Sequence, residues 1–125
     1  MKSDTEPTRS WPLEIRLKSA EKMLEIDFDD GTKVALPAEL LRVESPSAEV
    51  QGHGAGQKKT IPGRRHIGIM NVEPVGNYAI KIAFDDMHDT GIFSWNYLYE
   101  LGRDQEIIWQ AYLDRLEAEG LSRDP

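Results

Sequence analysis

The sequence predicts an α+β domain in which two antiparallel β-meanders or hairpins form a small sheet system and two C-terminal helices follow. Three observations predict this fold class. Apolar and polar residues alternate in two separate groups of short runs, a stretch rich in Gly and Ser divides the groups, and helical spacing of apolar residues dominates only near the C-terminus. Alternation with a period of two is typical of strands with one buried face, whereas helices need spacings of three and four.

The first meander begins with a strand in which Leu13, Ile15 and Leu17 alternate with charged residues, so we expect one buried face. A second alternating run at residues 24–28 and an extended run at 33–36 follow. The Asp-Asp-Gly sequence between them favours a tight turn because Gly tolerates positive φ. These two runs therefore predict a hairpin.

A short helix and a long loop come next. Pro37 is compatible with a first helical turn, and residues 38–43 can continue as a helix until Pro46 stops it. Residues 45–65 are rich in Gly, Ser and Lys and contain almost no apolar anchor. We predict a mobile loop there, and its length in a small domain suggests a functional role.

The second meander is predicted from residues 66–75, a strand at 78–84 and a short strand at 91–93, with a Pro-Val-Gly-Asn turn between the first two. Ser94 can cap a helix that begins at Trp95, because its hydroxyl accepts a hydrogen bond from a free amide.

Two helices are predicted to complete the chain. Gly102 suits the left-handed position that ends the first one. The second is amphipathic and stops near Gly120. Its apolar side is formed by Ile108, Trp109, Tyr112, Leu113 and Leu116.

Length and composition predict one domain at residues 12–120, with a disordered tail at 1–11 and a second tail at 121–125. The chain has 125 residues, of which 39% are hydrophobic and 30% charged, and no apolar run is long enough to span a membrane. The N-terminal residues lack the apolar segment of a secretory signal. The chain has no cysteine, which agrees with a reducing compartment and excludes disulfides. We therefore expect a cytoplasmic protein without membrane contact.

A formal net charge of −7 opposes binding to phosphate backbones, so nucleic acid is not an expected partner. One basic cluster exists in the predicted loop, but no aromatic residues are interleaved with it for base stacking. It is a solvated loop or part of a protein-binding surface, and it comprises Lys58, Lys59, Arg64 and Arg65.

Asp85, Asp86, His88 and Asp89 form the best candidate metal site. Three carboxylates and one imidazole within five residues can converge at a turn and bind a divalent cation such as zinc or iron. The alternative is a solvated turn in which the carboxylates cap backbone amides and His88 bonds the backbone. Without cysteine, no thiolate is available to either metal.

No complete catalytic set is present, and we predict no enzyme activity. Ser94 follows His88 by six residues, but a helix cap explains it better than a nucleophile does. Residues 51–59 depart from the phosphate-binding Walker pattern in both spacing and final residues. We expect His53 to be an exposed loop residue and His66 to lie at a strand edge.

Aromatic residues are concentrated in the two C-terminal helices. At helical spacing most of them are expected to pack in the core, but their number exceeds what a small core readily buries. We therefore predict a partner surface that includes Trp95, Tyr99, Trp109 and Tyr112, together with the basic cluster.

Laid out in this way, the chain resembles the gamma-butyrobetaine hydroxylase-like N-terminal domain family, long known as a domain of unknown function, in a stand-alone form. The resemblance covers most of residues 12–101. It is carried by five sequence signatures in the same order: PLEIRL at 12–17, FDDG at 28–31, LPAELLR at 36–42, EPVGNYA at 73–79 and DMHDTGIFSW at 86–95.

The resemblance implies a zinc site of three Cys and one His in related carnitine-pathway hydroxylases, where such a domain precedes an iron and 2-oxoglutarate-dependent catalytic domain. The family Cys positions fall at about Ser45, Ser47 and Val50 of this chain, and the family His corresponds to His88. All three thiolates are therefore missing. The resemblance also implies a second context, because the domain is attached to some P-loop ATPases that carry iron-sulfur clusters.

Two functional hypotheses follow. The first is a small non-catalytic binding or adaptor module without a cofactor, whose protein partner is an oxygenase or an iron-sulfur carrier by family context. The alternative is a metal-binding or iron-sulfur cluster assembly accessory protein that uses the carboxylates around His88.

Overall fold

The computed structural model describes residues 10–52 and 56–125. Its first sheet contains the antiparallel strands β1 (Pro12–Lys18), β2 (Met23–Phe28) and β3 (Lys33–Pro37), in that spatial order. The predicted hairpin between β2 and β3 is confirmed. Gly31 has a φ of +90°, and the Phe28 amide donates to the Thr32 carbonyl at 2.8 Å, which closes the turn.

Strand β1 forms as predicted, but its apolar face is not buried. Ile15 and Leu17 lie opposite Ile26 and Leu24, on the core side of the sheet, yet both remain 36% exposed. Leu13 is 70% exposed. Because β1 is the edge strand, its inner face extends past the elements that cover β2. Alternation thus identifies a strand and its inner face, but burial depends on what packs against it.

Helix α1 (Ala38–Val43) is followed by the short helix α2 (Ala48–Gln51) inside the segment predicted to be an unanchored loop. Ser45, Ser47 and Val50 are buried there, so the prediction of almost no anchors is wrong for residues 45–52. Two of these buried residues are serines, which contact His88 more than 40 residues away. Because serine is polar, its burial produces no apolar pattern in the sequence. Mobility in the rest of 45–65 stays a prediction, and His53 lies outside the described residues.

The second sheet contains β4 (Ile69–Val75), β5 (Ala79–Phe84) and β6 (Ile92–Ser94), again antiparallel and in chain order. Strand β4 begins three residues later than predicted, after a turn closed by the Ile67 amide and the Arg64 carbonyl. Gly76 has a φ of +54° in the turn between β4 and β5. The predicted second meander is therefore confirmed.

Helices α3 (Trp95–Arg103) and α4 (Gln105–Ala118) complete the α+β fold. Ser94 caps α3 as predicted, since its hydroxyl oxygen accepts a hydrogen bond from the Tyr97 amide at 3.1 Å. Gly120, with a φ of +68°, follows the end of α4. Across residues 10–52 and 56–125, no helix combines the length and apolar character needed to cross a bilayer.

Gly102 does not end α3, contrary to the prediction, and it lies within the helix. A Cβ atom at this position would stand 2.2 Å from Cγ1 of Val34 on β3. Gly102 is therefore required for the close approach of α3 to the first sheet rather than for a left-handed cap. Sequence spacing could not separate these two roles, because both favour glycine near a helix end.

One continuous core joins the two sheets, α1 and α3. A smaller cluster of Val43, Tyr112 and Leu116 packs α4 against α1. Within the described part of the chain, sixteen buried apolar side chains form the main core, among them Leu24, Ile26, Phe28, Leu36, Leu41, Ile80, Ile82, Phe84, Phe93, Leu98 and Leu101.

The segment 121–125 was predicted to be a tail, but it runs along residues 63–65. The Gly63 amide donates to the Ser122 carbonyl at 2.9 Å, and the Arg65 amide donates to the Arg123 carbonyl at 3.0 Å. Backbone pairing of this kind has no side-chain signature in the sequence. Most of the predicted tail at 1–11 lies outside the described residues, although the Trp11 carbonyl accepts from the Asp29 amide.

Candidate functional site

His88 occupies the turn between β5 and β6, and its ring points into the protein. The His88 carbonyl accepts from the Phe84 amide at 2.9 Å, which brings the turn back onto the end of β5. Met87 reaches a φ of +74° in the process. The His88 ring then lies 6.1 Å from the Phe84 ring and is buried. The turn thus inserts an imidazole beneath the loop that follows α1.

Both ring nitrogens of His88 have partners in that loop. Nε2 lies 3.0 Å from the Ser45 hydroxyl and 3.3 Å from the Ser47 hydroxyl, and Nδ1 lies 3.2 Å from the Glu49 carboxylate. A carboxylate facing Nδ1 favours a proton on that nitrogen, which leaves Nε2 to accept from a serine hydroxyl. Burial, and secondly the positive charge of Arg42, lower the pKa of His88, so the imidazole is neutral at pH 7.

Asp86 lies beside this imidazole but belongs to an ion-pair cluster. Its Oδ2 accepts hydrogen bonds from Nε of Arg42 and Nε of Arg64, each at 2.7 Å. Its Oδ1 accepts from the His88 amide at 3.1 Å. Burial favours the protonated form, but these hydrogen bonds outweigh it and hold the pKa of Asp86 below its usual range.

The predicted metal site is not assembled by this turn. Asp86 faces two guanidinium groups, Asp85 accepts from the Gly68 amide at 3.0 Å, and Asp89 is exposed. The His88 ring is buried and directs its nitrogens to Ser45, Ser47 and Glu49. In residues 10–52 and 56–125, no three His, Cys, Asp or Glu side chains are grouped as metal ligands. The four residues are close in sequence, but successive positions of a tight turn direct their side chains apart.

The zinc site implied by the family resemblance has a clear counterpart in the fold, but its ligands are different. The hydroxyl oxygens of Ser45 and Ser47 lie 3.3 Å apart, and each is within 3.3 Å of His88 Nε2. Val50 is buried and apolar. Structural zinc sites use Cys, His or carboxylate ligands, and neutral hydroxyls do not replace thiolates. The residues present therefore do not fit zinc, and hydrogen bonds join the three polar groups instead.

Glu49, His88 and Ser45 also follow the acid, histidine and serine order of a nucleophilic triad. The serine of such a triad must meet a substrate carbonyl, and Ser45 is 0% exposed. A Cβ on Gly91 would stand 2.4 Å from the Ser45 hydroxyl, which shows how closely the residue before β6 covers it. This arrangement holds the loop after α1 against the β5–β6 turn, and it does not present a nucleophile.

The four aromatic residues predicted to form one surface differ in how deeply they are buried. Tyr112 is 0% exposed, and its hydroxyl donates to the Ile61 carbonyl at 2.6 Å, so its assignment to a surface is wrong. Trp95 is half-buried and donates from Nε1 to the Asn77 carbonyl. Tyr99 packs its ring edge-on against Phe28 and donates to Asp30. Helical spacing alone could not show which aromatic residues face inward.

The predicted basic cluster is also dispersed. Lys58 pairs with Glu44, Arg64 with Asp86, and Arg65 with Asp124. Lys59 is exposed. Three of the four cations thus neutralise carboxylates of the same chain, which leaves no concentrated positive patch for an acidic partner.

Trp109 lines a cleft of about 310 Å³ between α1 and α4. Its ring lies 5.2 Å from the guanidinium carbon of Arg123, which belongs to the docked segment 121–125. Arg123 also donates from Nε and Nη2 to the two carboxylate oxygens of Glu39, at 2.8 and 2.7 Å. Sequence reasoning identified Trp109 but missed Glu39 and Arg123, because 84 residues separate the latter two. The other lining residues are Pro37, Leu40, Gln105 and Glu106.

A family model described as gamma-butyrobetaine hydroxylase-like, N-terminal, matches residues 15–99. Among solved structures, one solution NMR structure is 46% identical with a TM-score of 0.80 and covers 93% of this chain and 91% of its own. A second is 43% identical with a TM-score of 0.82, covering 100% and 92%.

A crystal structure of a DUF971-family protein of unknown function from Acidithiobacillus ferrooxidans is 40% identical with a TM-score of 0.62, and it covers 73% of this chain and 91% of its own. No curated protein matches the chain. The family model spans more than half of the sequence, and this chain therefore belongs to the gamma-butyrobetaine hydroxylase-like N-terminal family.

Proposed function

We propose that this domain is a non-catalytic protein-binding module that holds an arginine-bearing segment of a partner in the cleft beside Trp109, where the partner's arginine replaces Arg123 of the same chain. The observation that carries the proposal is the environment of Arg123. Its guanidinium stacks on Trp109 and makes two hydrogen bonds with Glu39. Aromatic stacking combined with a paired carboxylate is a common way to recognise arginine at interfaces.

The cleft offers space and charge beyond what Arg123 uses. Its volume is about 310 Å³, and Pro37, Leu40 and Trp109 provide apolar walls. Glu106 is exposed at the rim, and the chain carries a formal net charge of −7. A negative surface attracts a basic segment and raises its rate of encounter. Arginine flanked by apolar residues is thus the chemistry that the cleft fits.

The same geometry supports a role without catalysis. Both ring nitrogens of His88 are occupied by side chains of the loop after α1, and the nearest serine is fully buried. The most chemically suggestive cluster therefore serves the fold, whereas the cleft serves binding. An oxygenase or an iron-sulfur carrier is the partner that the family resemblance implies, and an exposed arginine-bearing segment on either would fit.

The first test measures arginine recognition directly. In an Arg123→Ala variant the Glu39 carboxylate loses its partner, so a blocked peptide Leu-Ser-Arg-Asp-Pro should bind and shift the Trp109 indole N–H signal in NMR spectra. We expect millimolar affinity, since one residue provides most of the contact. The same peptide with Gln in place of Arg should bind at least tenfold more weakly. Adding Glu39→Gln should abolish binding, whereas adding Glu73→Gln, at an exposed residue on β4, should not.

The second test concerns the partner. Proteins captured by the wild-type chain should be lost with Trp109→Ala and retained with Ile107→Ala, because Ile107 is exposed on α4 but does not line this cleft. A captured protein supports the proposal only if an arginine-bearing peptide from it binds the purified domain. Absence of peptide binding at about 10 mM, or binding that Trp109→Ala leaves unchanged, would contradict it.

A further inference from the structure

The edge strand β1 presents an apolar face that the other residues of 10–52 and 56–125 leave exposed. Leu13, Ile15 and Leu17 are all at least 36% exposed, and Trp11 just before the strand is 52% exposed. Ile15 and Leu17 lie on the core side of the first sheet, opposite two fully buried residues of β2. The apolar core surface thus continues outward onto β1 and ends in solvent.

Strand β1 is also open along its backbone. The sheet order places β2 on one side of it, and the other side is the sheet edge. An edge strand presents a row of N–H and C=O groups that can pair with another strand. Exposed apolar side chains together with an open edge indicate strand addition as the mode of binding.

The sequence of β1 is complementary to itself when two copies run antiparallel. With Ile15 opposite Ile15 of a second copy, Glu14 stands opposite Arg16 twice, whereas Leu13 lies at the irregularity between Pro12 and Glu14 and falls outside this regular pairing. Opposite charges directly across a strand pair are stabilising, and so are paired apolar residues. The strand therefore matches a second copy of the same chain, with a two-fold axis at Ile15.

The charges also select one register. Moving the axis by one residue toward the N-terminus places Glu14 opposite Glu14, and moving it the other way places Arg16 opposite Arg16. Like charges directly opposite each other are destabilising. Arg16 already bonds Glu25 and Asp27, and its Nη1 lies 3.1 Å from the Glu14 carboxylate of the same chain. The pairing between copies therefore adds a second Glu14 carboxylate to a guanidinium that is fixed on the outer face of the sheet.

We propose that two copies of this domain associate through β1, which joins two three-stranded sheets into one six-stranded antiparallel sheet. The interface is isologous, as closed dimers require. A strand of seven residues buries less than the roughly 800 Å² per partner of stable complexes. The dimer is therefore weak, and the fraction of chains in the dimer rises with protein concentration. This association is independent of the cleft beside Trp109, which lies on α1 and α4.

Sedimentation or light scattering from about 10 μM to about 1 mM tests the proposal. We expect the mass of the wild type to rise toward that of a dimer. Glu14→Lys should weaken association at least tenfold, because it places like charges opposite each other twice. The side chain of Glu14 is 61% exposed, so the variant should fold. The control Glu73→Lys makes the same charge change on β4, the edge strand of the other sheet, and should leave the mass unchanged.

A charge exchange makes the test specific for the register. Arg16→Glu alone should also prevent association, whereas an equimolar mixture of Glu14→Lys and Arg16→Glu restores both opposite-charge pairs and should form a heterodimer. Circular dichroism checks that each variant is folded. A wild type that stays monomeric at about 1 mM overturns the proposal. A dimer that resists Glu14→Lys, or a mixture that stays monomeric while both variants are folded, also overturns it.

Discussion

The Ser45 hydroxyl lies 3.0 Å from Nε2 of His88, although 43 residues separate the two in the chain. This contact joins the loop after α1 to the turn between β5 and β6, and the neighbouring Asp86 reinforces it through Arg42. Helix α1 and the loop after it are thus connected to the second sheet by a polar cluster as well as by the apolar core. Such a cluster makes the stability of the domain depend on pH.

His88 should make unfolding easier at acidic pH. In the unfolded chain a histidine takes up a proton near pH 6.5, whereas burial and Arg42 lower the pKa of His88 in the fold. The unfolded state therefore binds more protons below that pH, and the free energy of unfolding falls as pH falls. One proton limits this slope to about 1.4 kcal/mol per pH unit. Urea unfolding of the wild type and His88→Gln between pH 5 and 7 measures it.

The His88→Gln variant should show a flatter profile over this range, because it removes the imidazole whose pKa the fold lowers. His66→Gln makes the same substitution at an exposed histidine and serves as the control. Equal slopes in the wild type and His88→Gln would show that His88 does not contribute to the pH dependence.

Asp86→Asn should destabilise the domain by about 3 kcal/mol, since it removes a charge that pairs with a buried guanidinium. The Arg42 side chain is 9% exposed, and its Nη1 is buried without a hydrogen-bond partner among the described residues. Loss of the Asp86 carboxylate would leave the buried charge of Arg42 without this ion-pair partner. Thermal or urea unfolding at pH 7 measures the change.

Asp89→Asn is the matched control, because Asp89 is exposed in the same turn and should change stability by less than about 0.5 kcal/mol. If the two variants were equally stable, the ion-pair cluster around Asp86 would not hold the turn. If Asp89→Asn were the more harmful change, the exposed carboxylate would have a role beyond solvation.

The strands were predictable because their signals are local. Alternation identified β1, β2 and β5. The Ser94 hydroxyl marks the start of α3, and Gly31 marks the turn between β2 and β3 because it adopts a positive φ. Gly102 shows the limit of such signals. Its role is set by Val34, which a different element supplies, and a local pattern near a helix end favoured the wrong explanation.

The candidate site was predictable only in part. Proximity in sequence singled out Asp86 and His88 as candidate metal ligands, but their contacts depend on Arg42 and Ser45, which lie more than forty residues earlier. The same limit applies to Trp109, whose partner Arg123 arrives through backbone pairing of residues 121–125. Side chains that meet only after folding leave no pattern in a single sequence.

Gly102→Ala should destabilise the domain by about 1–3 kcal/mol, although alanine favours helices more than glycine does. The added Cβ would stand 2.2 Å from Cγ1 and 2.6 Å from Cβ of Val34, so α3 must move away from β3. Ala111→Gly, at an exposed position of α4, measures the intrinsic preference in the same chain. A Gly102→Ala variant more stable than the wild type would show that α3 and β3 have room to separate.

Replacing Ser45 and Ser47, which face His88, with cysteine should create a zinc site in place of the present hydrogen bonds. The triangle of Ser45, Ser47 and His88 has edges of 3.0 to 3.3 Å, at or slightly below the roughly 3.3 to 3.8 Å between ligands of tetrahedral zinc with bonds of 2.0 to 2.3 Å. Ser45→Cys with Ser47→Cys would supply two thiolates, and the neutral imidazole would be the third ligand. We expect the double variant to bind zinc at least a hundredfold more tightly than the wild type, measured by competition with a fluorescent indicator.

Adding His88→Gln to the double variant should remove most of this gain in zinc affinity. Equal zinc affinity of the folded double variant and the wild type would mean that the three positions cannot adopt metal-ligand geometry, and that the serine hydroxyls are not simple replacements for thiolates.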